Sequence, residues 1–331
     1  MTRIDRRTVL IAPLALGLAA RAAGQAPVTA PHRPLVHPDP VEVIDLWPDG
    51  PPGAPMPPPA EEVRERSADP AFNDRVIVHV ARPRLALFRP ERPNGASVLI
   101  MPGGGYSWVV IDKEGFEMAR WLAARGVTVF VLFYRLPRDG WAAGPDTALS
   151  DAQRAMRLIR ASAAPEGRDP RCICAMGFSA GGHVCADLIA RFGTPTYRPV
   201  DAADEVSARP DAAAPIYPVV AMRRPVAHEG SRANLIGADA APELERAHSP
   251  HLHITAEAPP TFLLHAEDDP AVPVENTLLL REALRARGVA TETHLFPDGG
   301  HGFGLRLARG LSVEHWPELF FAWGRRLALW P

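Results

Sequence analysis

One serine in this sequence stands where a hydroxyl can be turned into a nucleophile. The run Gly177-Phe178-Ser179-Ala180-Gly181 follows an apolar strand candidate, Arg171–Met176, and precedes a helical stretch. A nucleophile elbow needs this strand–turn–helix context, because the turn is so sharp that its flanking residues must be small, as Gly177, Ala180, Gly181 and Gly182 are. The turn would lift the Ser179 hydroxyl off the sheet and set the Ala180 N–H at a helix start. Alone, the pattern is weak, since a glycine-rich strand–helix turn has the same composition. A serine hydroxyl also needs a base to take its proton. Among 12 histidines, His301 is the candidate, because Gly299, Gly300, Gly302 and Gly304 let its loop reach back over the sheet after the last strand. The carboxylate that orients such a histidine belongs between the two in chain order, just beyond a strand. Strand candidate Thr261–His265 leads into Glu267, Asp268 and Asp269, each of which also fits a solvated acidic turn. Ser179, Asp269 and His301 follow the required order, each past the C-terminal end of a strand, where open parallel sheets place their ligands.

Attack by a serine on an acyl carbon creates an oxyanion that preorganised N–H groups must meet. The run Met101-Pro102-Gly103-Gly104-Gly105-Tyr106 directly follows strand candidate Ser97–Met101. Its consecutive glycines allow close backbone approach with the amides turned inward. We assign the oxyanion hole to the N–H groups of Gly104, Gly105 and Ala180. A phosphate loop is the rival reading, but neither GxGxxG nor a Walker lysine is present. Tyr106 and Trp108 are placed to stack on a substrate ring, although loop aromatics as often pack inward. His248, His251, His253 and His265 lack HExxH and a carboxylate at metal-ligand spacing, so no metal or cofactor is expected. Cys172, Cys174 and Cys185 make no disulfide framework and read as small core residues.

The elements that must position these groups appear as an alternation. Strand candidates are Arg75–Val80, Leu85–Phe88, Ser97–Met101, Thr128–Phe133, Arg171–Met176, Ala214–Tyr217, Thr261–His265 and Thr291–Phe296. Helix candidates are Lys113–Ala124, Asp146–Ala163, Ala180–Arg191, Val274–Arg287 and Val313–Leu329. Apolar strands alternating with amphipathic helices predict an α/β fold, a mostly parallel sheet with helices on both faces. The first two strands, joined by Ala81–Arg84, predict an antiparallel hairpin at the sheet edge. Before them, 12 of the 33 residues from Pro27 to Pro59 are proline, so residues 27–60 read as an extended arm with one short strand, Val41–Leu46. No repeat or linker divides residues 61–331, and one domain is expected there. Residues 221–260 exceed an ordinary α/β connection and read as a lid-like insertion. Its Arg223, Arg224, His228, Glu229, Arg232 and Asn234 suit a polar alcohol group better than a fatty chain.

Composition narrows the class. At 331 residues, 47% hydrophobic, with a net charge of −2, the chain is neither disordered nor suited to nucleic acid as its main partner. Arg3, Arg6 and Arg7 precede an apolar run, Val9–Ala20, of 12 residues. That run fits a secretory signal and falls short of the ~20 residues that span a bilayer. Residues 1–26 therefore read as an export signal, and Arg6-Arg7 resembles a twin-arginine one. Periplasmic or secreted location, without stable membrane insertion, is expected.

Taken together, the motifs resemble the α/β-hydrolase superfamily, and within it the esterase/lipase-type carbohydrate esterases, the acetylxylan and feruloyl esterase-like proteins of bacteria. The similarity spans roughly residues 41–331. It rests on Leu46-Trp47-Pro48-Asp49-Gly50, the Pro102-to-Tyr106 loop, Phe133-Tyr134-Arg135-Leu136, the Ser179 elbow, the stretch His265 to Pro273, and Gly300-His301-Gly302-Phe303. The resemblance implies an eight-stranded-type sheet with an antiparallel N-terminal edge. It also implies a Ser-His-Asp acyl-enzyme mechanism on short acyl esters of a small molecule or oligosaccharide, such as acetylated plant polysaccharide. Relatives carry H-G-x-x-D-x-x-V-P at the acidic turn, which selects Asp269 over Asp268. In one departure, Pro102 replaces the histidine that opens the glycine loop of hormone-sensitive-lipase-like esterases, which favours the carbohydrate-esterase branch. A prolyl-oligopeptidase-like serine peptidase is an alternative, but its propeller finds no room here. A general short-chain carboxylesterase and a catalytically dead binding protein are others, and no triad member is missing. Arg135 fits either a substrate contact or an anchor for the glycine loop. Nothing indicates an oligomeric state.

Overall fold

The computed structural model describes residues 35–331. Strands β5 (Ser97–Met101), β7 (Thr128–Phe133), β8 (Ile173–Phe178), β9 (Ala212–Ile216) and β10 (Thr261–Ala266) are buried at every position. Strands apolar on both faces belong in a sheet that is covered on both. With β1 (Glu42–Asp45), β4 (Arg84–Phe88) and β11 (Thr291–Phe296) they form an eight-stranded sheet in the order β1-β4-β7-β5-β8-β9-β10-β11. The pairs β1–β4 and β4–β7 are antiparallel, and all the others are parallel. This is the α/β sheet with an antiparallel N-terminal edge that the sequence predicts. Helices α1 (Glu117–Ala123), α2 (Thr147–Ala161), α3 (Ala180–Arg191), α6 (Glu275–Ala286) and α7 (Trp316–Arg326) pack against it. Trp316, Phe320 and Trp323 of α7 are core residues.

The predicted hairpin does not form. Strand β3 (Arg75–Val78) leaves the main sheet and pairs antiparallel with β2 (Glu62–Glu65) and β6 (Val109–Val110) in a separate three-stranded sheet. Between β3 and β4, His79 adopts a left-handed backbone (φ 53°) and Pro83 lacks an N–H, so the chain turns from one sheet to the other. Strand β4 instead takes β1 as its partner, donated by the proline-rich arm.

That arm is clamped to α2 by Arg135. Arg135 and Asp151 of α2 are both fully buried, 2.8 Å apart. Arg135 donates from Nη1 to the Pro52 carbonyl (2.8 Å), and Trp47 donates from its indole to Asp151 (2.8 Å). Arg135 is thus an anchor, but of the arm rather than of the glycine loop. The predicted export signal, residues 1–26, and the arm up to residue 34 lie outside the described residues. Among the described residues no helix is long and apolar enough to cross a membrane.

Candidate active site

The strand β8 ends in the expected elbow. Ser179 takes φ 53°, ψ −117°, a conformation a non-glycine residue holds only when its surroundings over-determine it. Here its N–H donates to Ile216 (3.0 Å), while its carbonyl accepts from Val219 (3.1 Å) and from His183 (3.0 Å). Gly181 is required next to it, since a Cβ there would land on the carbonyl oxygens of Met101 and Pro102. The elbow therefore presses directly on the start of the glycine loop.

The structure brings together the three side chains picked from the sequence. Ser179 Oγ lies 2.8 Å from His301 Nε2, and His301 Nδ1 lies 2.6 Å from Asp269 Oδ2. Asp269 has a fully buried side chain whose Oδ1 also accepts from the Ala271 and Val272 amides, both at 2.8 Å. Asp268 instead accepts from the Gly300 amide (2.8 Å) at an exposed position, so it shapes the histidine loop without reaching the imidazole. His265, from β10, places Nε2 3.2 Å from Asp269 and donates to the Val272 carbonyl at 3.0 Å. Burial opposes ionisation of Asp269, but the bonds from His265 and His301 outweigh it and hold the carboxyl well below the usual carboxylate range. The aspartate thus stands ready to stabilise a protonated His301.

Gly104 and Gly105 line a cavity of about 300 Å³ together with Ser179, His301 and Trp108. Three larger surface concavities, about 830, 490 and 440 Å³, lie beside Arg89, Arg281 and Glu117, away from the serine. Gly104 holds φ 132°, and a Cβ there would strike the Trp108 carbonyl. Among the described residues the amides of Gly104 and Gly105 donate to no backbone acceptor, whereas the Gly103 amide is committed to Glu114 (2.9 Å). Ala180 opens α3, where helix N–H groups lack intrahelical partners.

Tyr106 does not face a substrate. It is 1% exposed and donates its hydroxyl to His183 Nδ1 (2.7 Å), whose Nε2 donates to the His248 carbonyl (2.9 Å). Burial lowers the His183 pKa to about 4, which keeps the ring neutral and able to accept. The ring that was expected to stack on a ligand is a strut between the glycine loop and α3. Trp108 does line the cavity, with the Arg66 guanidinium 5.8 Å from its ring centre.

The insertion 221–260 folds into α4 (Glu229–Ile236) and α5 (Pro242–Ala247). It reaches the site through His228 and Asn234, whose Nδ2 donates to the Gly105 carbonyl and to Ser107 Oγ, both at 2.8 Å. Arg232 is buried instead in its own segment, held by the Met222 and Ala238 carbonyls and by Glu245. It is therefore unavailable to a substrate alcohol. Arg224 pairs with Glu229 in solvent. No group of His, Cys, Asp and Glu able to hold a metal occurs among the described residues. Glu114 and Tyr217, which sequence reasoning missed, stand between the glycine loop and His301. Neither belongs to a motif, and no local pattern separates that glutamate from the other acids.

Residues 85–284 match the profile of the BD-FAE family. An acetylxylan esterase of Xylanibacter ruminicola is 32% identical over 227 residues, 67% of this chain and 44% of that protein. An endo-1,4-β-xylanase B of Butyrivibrio fibrisolvens is 35% identical over 205 residues, 62% of this chain and 32% of that protein. The chain thus spans less than half the length of these two relatives. Among solved structures, an acetyl ester-xyloside bifunctional hydrolase from Caldicellulosiruptor lactoaceticus superposes with a TM-score of 0.72 at 32% identity, covering 88% of this chain and 98% of that one.

Proposed function

This chain belongs to the BD-FAE family of α/β-hydrolase esterases, and from that premise we propose that it is an exported serine esterase removing short acyl groups, acetate foremost, from a carbohydrate. The observation that carries the reading is the unbroken chain of hydrogen bonds from Ser179 through His301 to Asp269, opening on the cavity beside Gly104 and Gly105. His301 Nε2 takes the Ser179 proton as the hydroxyl attacks the ester carbonyl. Asp269 keeps the imidazole in the tautomer that can accept it and stabilises the imidazolium. The amides of Gly104, Gly105 and Ala180 meet the oxyanion. His301 then gives its proton to the leaving alcohol, and water that it activates releases the acid from the acyl-enzyme.

The size and lining of the cavity support a short acyl group and a polar alcohol. At about 300 Å³ it lies at the low end of the roughly 300–1,000 Å³ common for small-molecule sites. Asn234, His228, Ser107 and Trp108 around it suit a sugar better than an aliphatic chain. The names of the Xylanibacter and Caldicellulosiruptor proteins support an acetylated xylan fragment. Residues 1–26 would direct the chain to the periplasm or beyond, a role tested by fractionating cells that express Arg6→Lys/Arg7→Lys. In a p-nitrophenyl ester series, acetyl should exceed octanoyl by at least about tenfold in kcat/KM, which is ~1.4 kcal/mol of differential transition-state binding. Acetylated xylo-oligosaccharides should release acetate. Rates that climb with acyl length would remove the short-acyl assignment and leave a lipase-like esterase.

A further inference from the structure

We propose that Glu114 is a positioning residue that locks the oxyanion loop to the histidine loop, an inference that rests on the serine-esterase reading above. Glu114 sits in a π-helical turn, Asp112–Phe116, in which the Phe116 amide reaches back to the Ile111 carbonyl at 2.8 Å. Such turns carry one residue more than an α-turn and frequently mark functional sites. This one places a carboxylate that is 3% exposed at the floor of the candidate site.

Each carboxylate oxygen serves a different loop. Oε2 accepts from the Gly103 amide at 2.9 Å, immediately before Gly104 and Gly105, two of the three amides assigned to the oxyanion. Oε1 accepts from the Tyr217 hydroxyl at 3.0 Å, and the Tyr217 oxygen in turn accepts from the Gly304 amide at 3.2 Å, three residues past His301. The Tyr217 ring stands edge-on to His301, with centroids 5.2 Å apart, and to Phe303 at 4.6 Å. Tyr217 is itself held at φ 36° at the end of β9 by a 2.6 Å bond from its amide to the Leu264 carbonyl. Burial, and then the Glu114 charge, push its phenol well above the ordinary tyrosine value, so it remains a donor.

The residue type follows from the partners. Both groups that face Glu114 are donors, and a carboxylate accepts at both oxygens, whereas an amide accepts at only one. The far end of the glycine loop has its own ties, Tyr106 to His183 and Asn234 to Gly105. At the end next to Ser179 there are two side-chain ties, from the Tyr134 hydroxyl to the Pro102 carbonyl (2.7 Å) and from the Gly103 amide to Glu114, and it is the Glu114 bond that continues through Tyr217 to the histidine loop. Without it the amides of Gly104 and Gly105 would drift relative to His301, and misplacement of about 1 Å can cost ~10²-fold in rate.

The test uses the full chain and p-nitrophenyl acetate, with Glu114→Ala, Glu114→Gln, Tyr217→Phe and the double variant Glu114→Ala/Tyr217→Phe. A trifluoromethyl ketone, which forms a tetrahedral adduct on the nucleophile, reports oxyanion binding separately from substrate binding. Glu114→Ala should lower kcat about 30-fold with KM within about twofold, and weaken the ketone by the same factor. Glu114→Gln, which keeps one acceptor, should recover to within about fivefold of wild type. Tyr217→Phe should lose about fivefold, and the double variant should be no worse than Glu114→Ala, because the two act as one unit. If folded Glu114→Ala keeps kcat within about threefold, if ketone affinity does not change, or if the two losses multiply, the proposal is overturned. Should the alanine variant fail to fold, Glu114→Gln and Tyr217→Phe decide it by kcat against ketone affinity. Ser179→Ala on the same substrate separates the two claims. Full turnover there sinks the serine-esterase reading, whereas an inactive Ser179→Ala beside an unimpaired Glu114→Ala sinks only the role of Glu114.

Discussion

Asp151 and Asp269 are both carboxylates with fully buried side chains, the first accepting from one backbone amide and the second from two, each beside a cationic or imidazole partner. At Asp151 the partner is Arg135, enclosed with it and stacked between Trp47 and Trp141. A guanidinium keeps its charge throughout, so this pair only holds the proline-rich arm against α2. At Asp269 the partner is His301, whose ring can gain and lose a proton and whose other nitrogen faces Ser179 on a cavity. Burial and complete pairing are thus common to both regions and do not by themselves mark function. The distinguishing feature is a partner that can change its charge and has a second nitrogen directed at a reactive group.

The contrast predicts that one region controls rate and the other controls stability. Ser179→Ala should lower kcat by roughly 10⁴-fold or more with an unchanged melting temperature, measured on p-nitrophenyl acetate and by loss of fluorophosphonate labelling. Asp269→Asn should cost ~10³–10⁴-fold in kcat/KM by leaving the wrong imidazole tautomer, while Asp268→Asn should cost only a few-fold. The opposite ranking would move the orienting role to Asp268. At the other region, Arg135→Met should leave kcat per folded molecule intact and reduce stability by ~3–5 kcal/mol in denaturant titrations, since it strands Asp151 in the interior. A variant of Arg135 with full stability and depressed kcat would break the comparison.

Glu117 sharpens the comparison from a third direction, with the smallest effect. Burial pushes its carboxyl from an ordinary 4.5 to about 7, and Arg306 at 3.3 Å only partly offsets that. The folded chain therefore holds this proton more tightly than the unfolded chain does. Its contribution to stability is present in full below pH 4.5 and is lost as pH rises to about 7. Glu117→Gln should flatten that slope, so the fall in melting temperature between about pH 5 and pH 8 becomes smaller than in wild type. Parallel curves for the two proteins would mean that Glu117 is not strained by burial.

The reactive groups were legible because the turns that present them obey local rules. A serine forced to positive φ needs small neighbours, and close backbone approach needs glycine, so Gly177 to Gly182 and Gly103 to Gly105 are visible as patterns. Continuous apolar runs likewise announced β5, β7, β8 and β10 to within two residues, because strands buried on both faces have no polar side. Strand partners were not legible in this way. Nothing local to β3 says that it pairs with β2 and β6 rather than with β4, since pairing is decided by how the chain leaves the strand and by what else covers the edge.

What the sequence determined by itself is therefore the set of chemical groups, their order along the chain and the turns that expose them, since sterics of that kind act over a few residues. Which other residues serve the site was decided only by the tertiary structure. Tyr106 became a strut because it meets His183, 77 residues away, and Glu114 became a brace because Tyr217, 103 residues away, points at it. Arg135 became an anchor through Pro52, 83 residues away, and Arg232 turned inward to its own carbonyls. A polar side chain takes its role from the partners that burial obliges it to find, and those partners are brought together only when the sheet and its loops have packed.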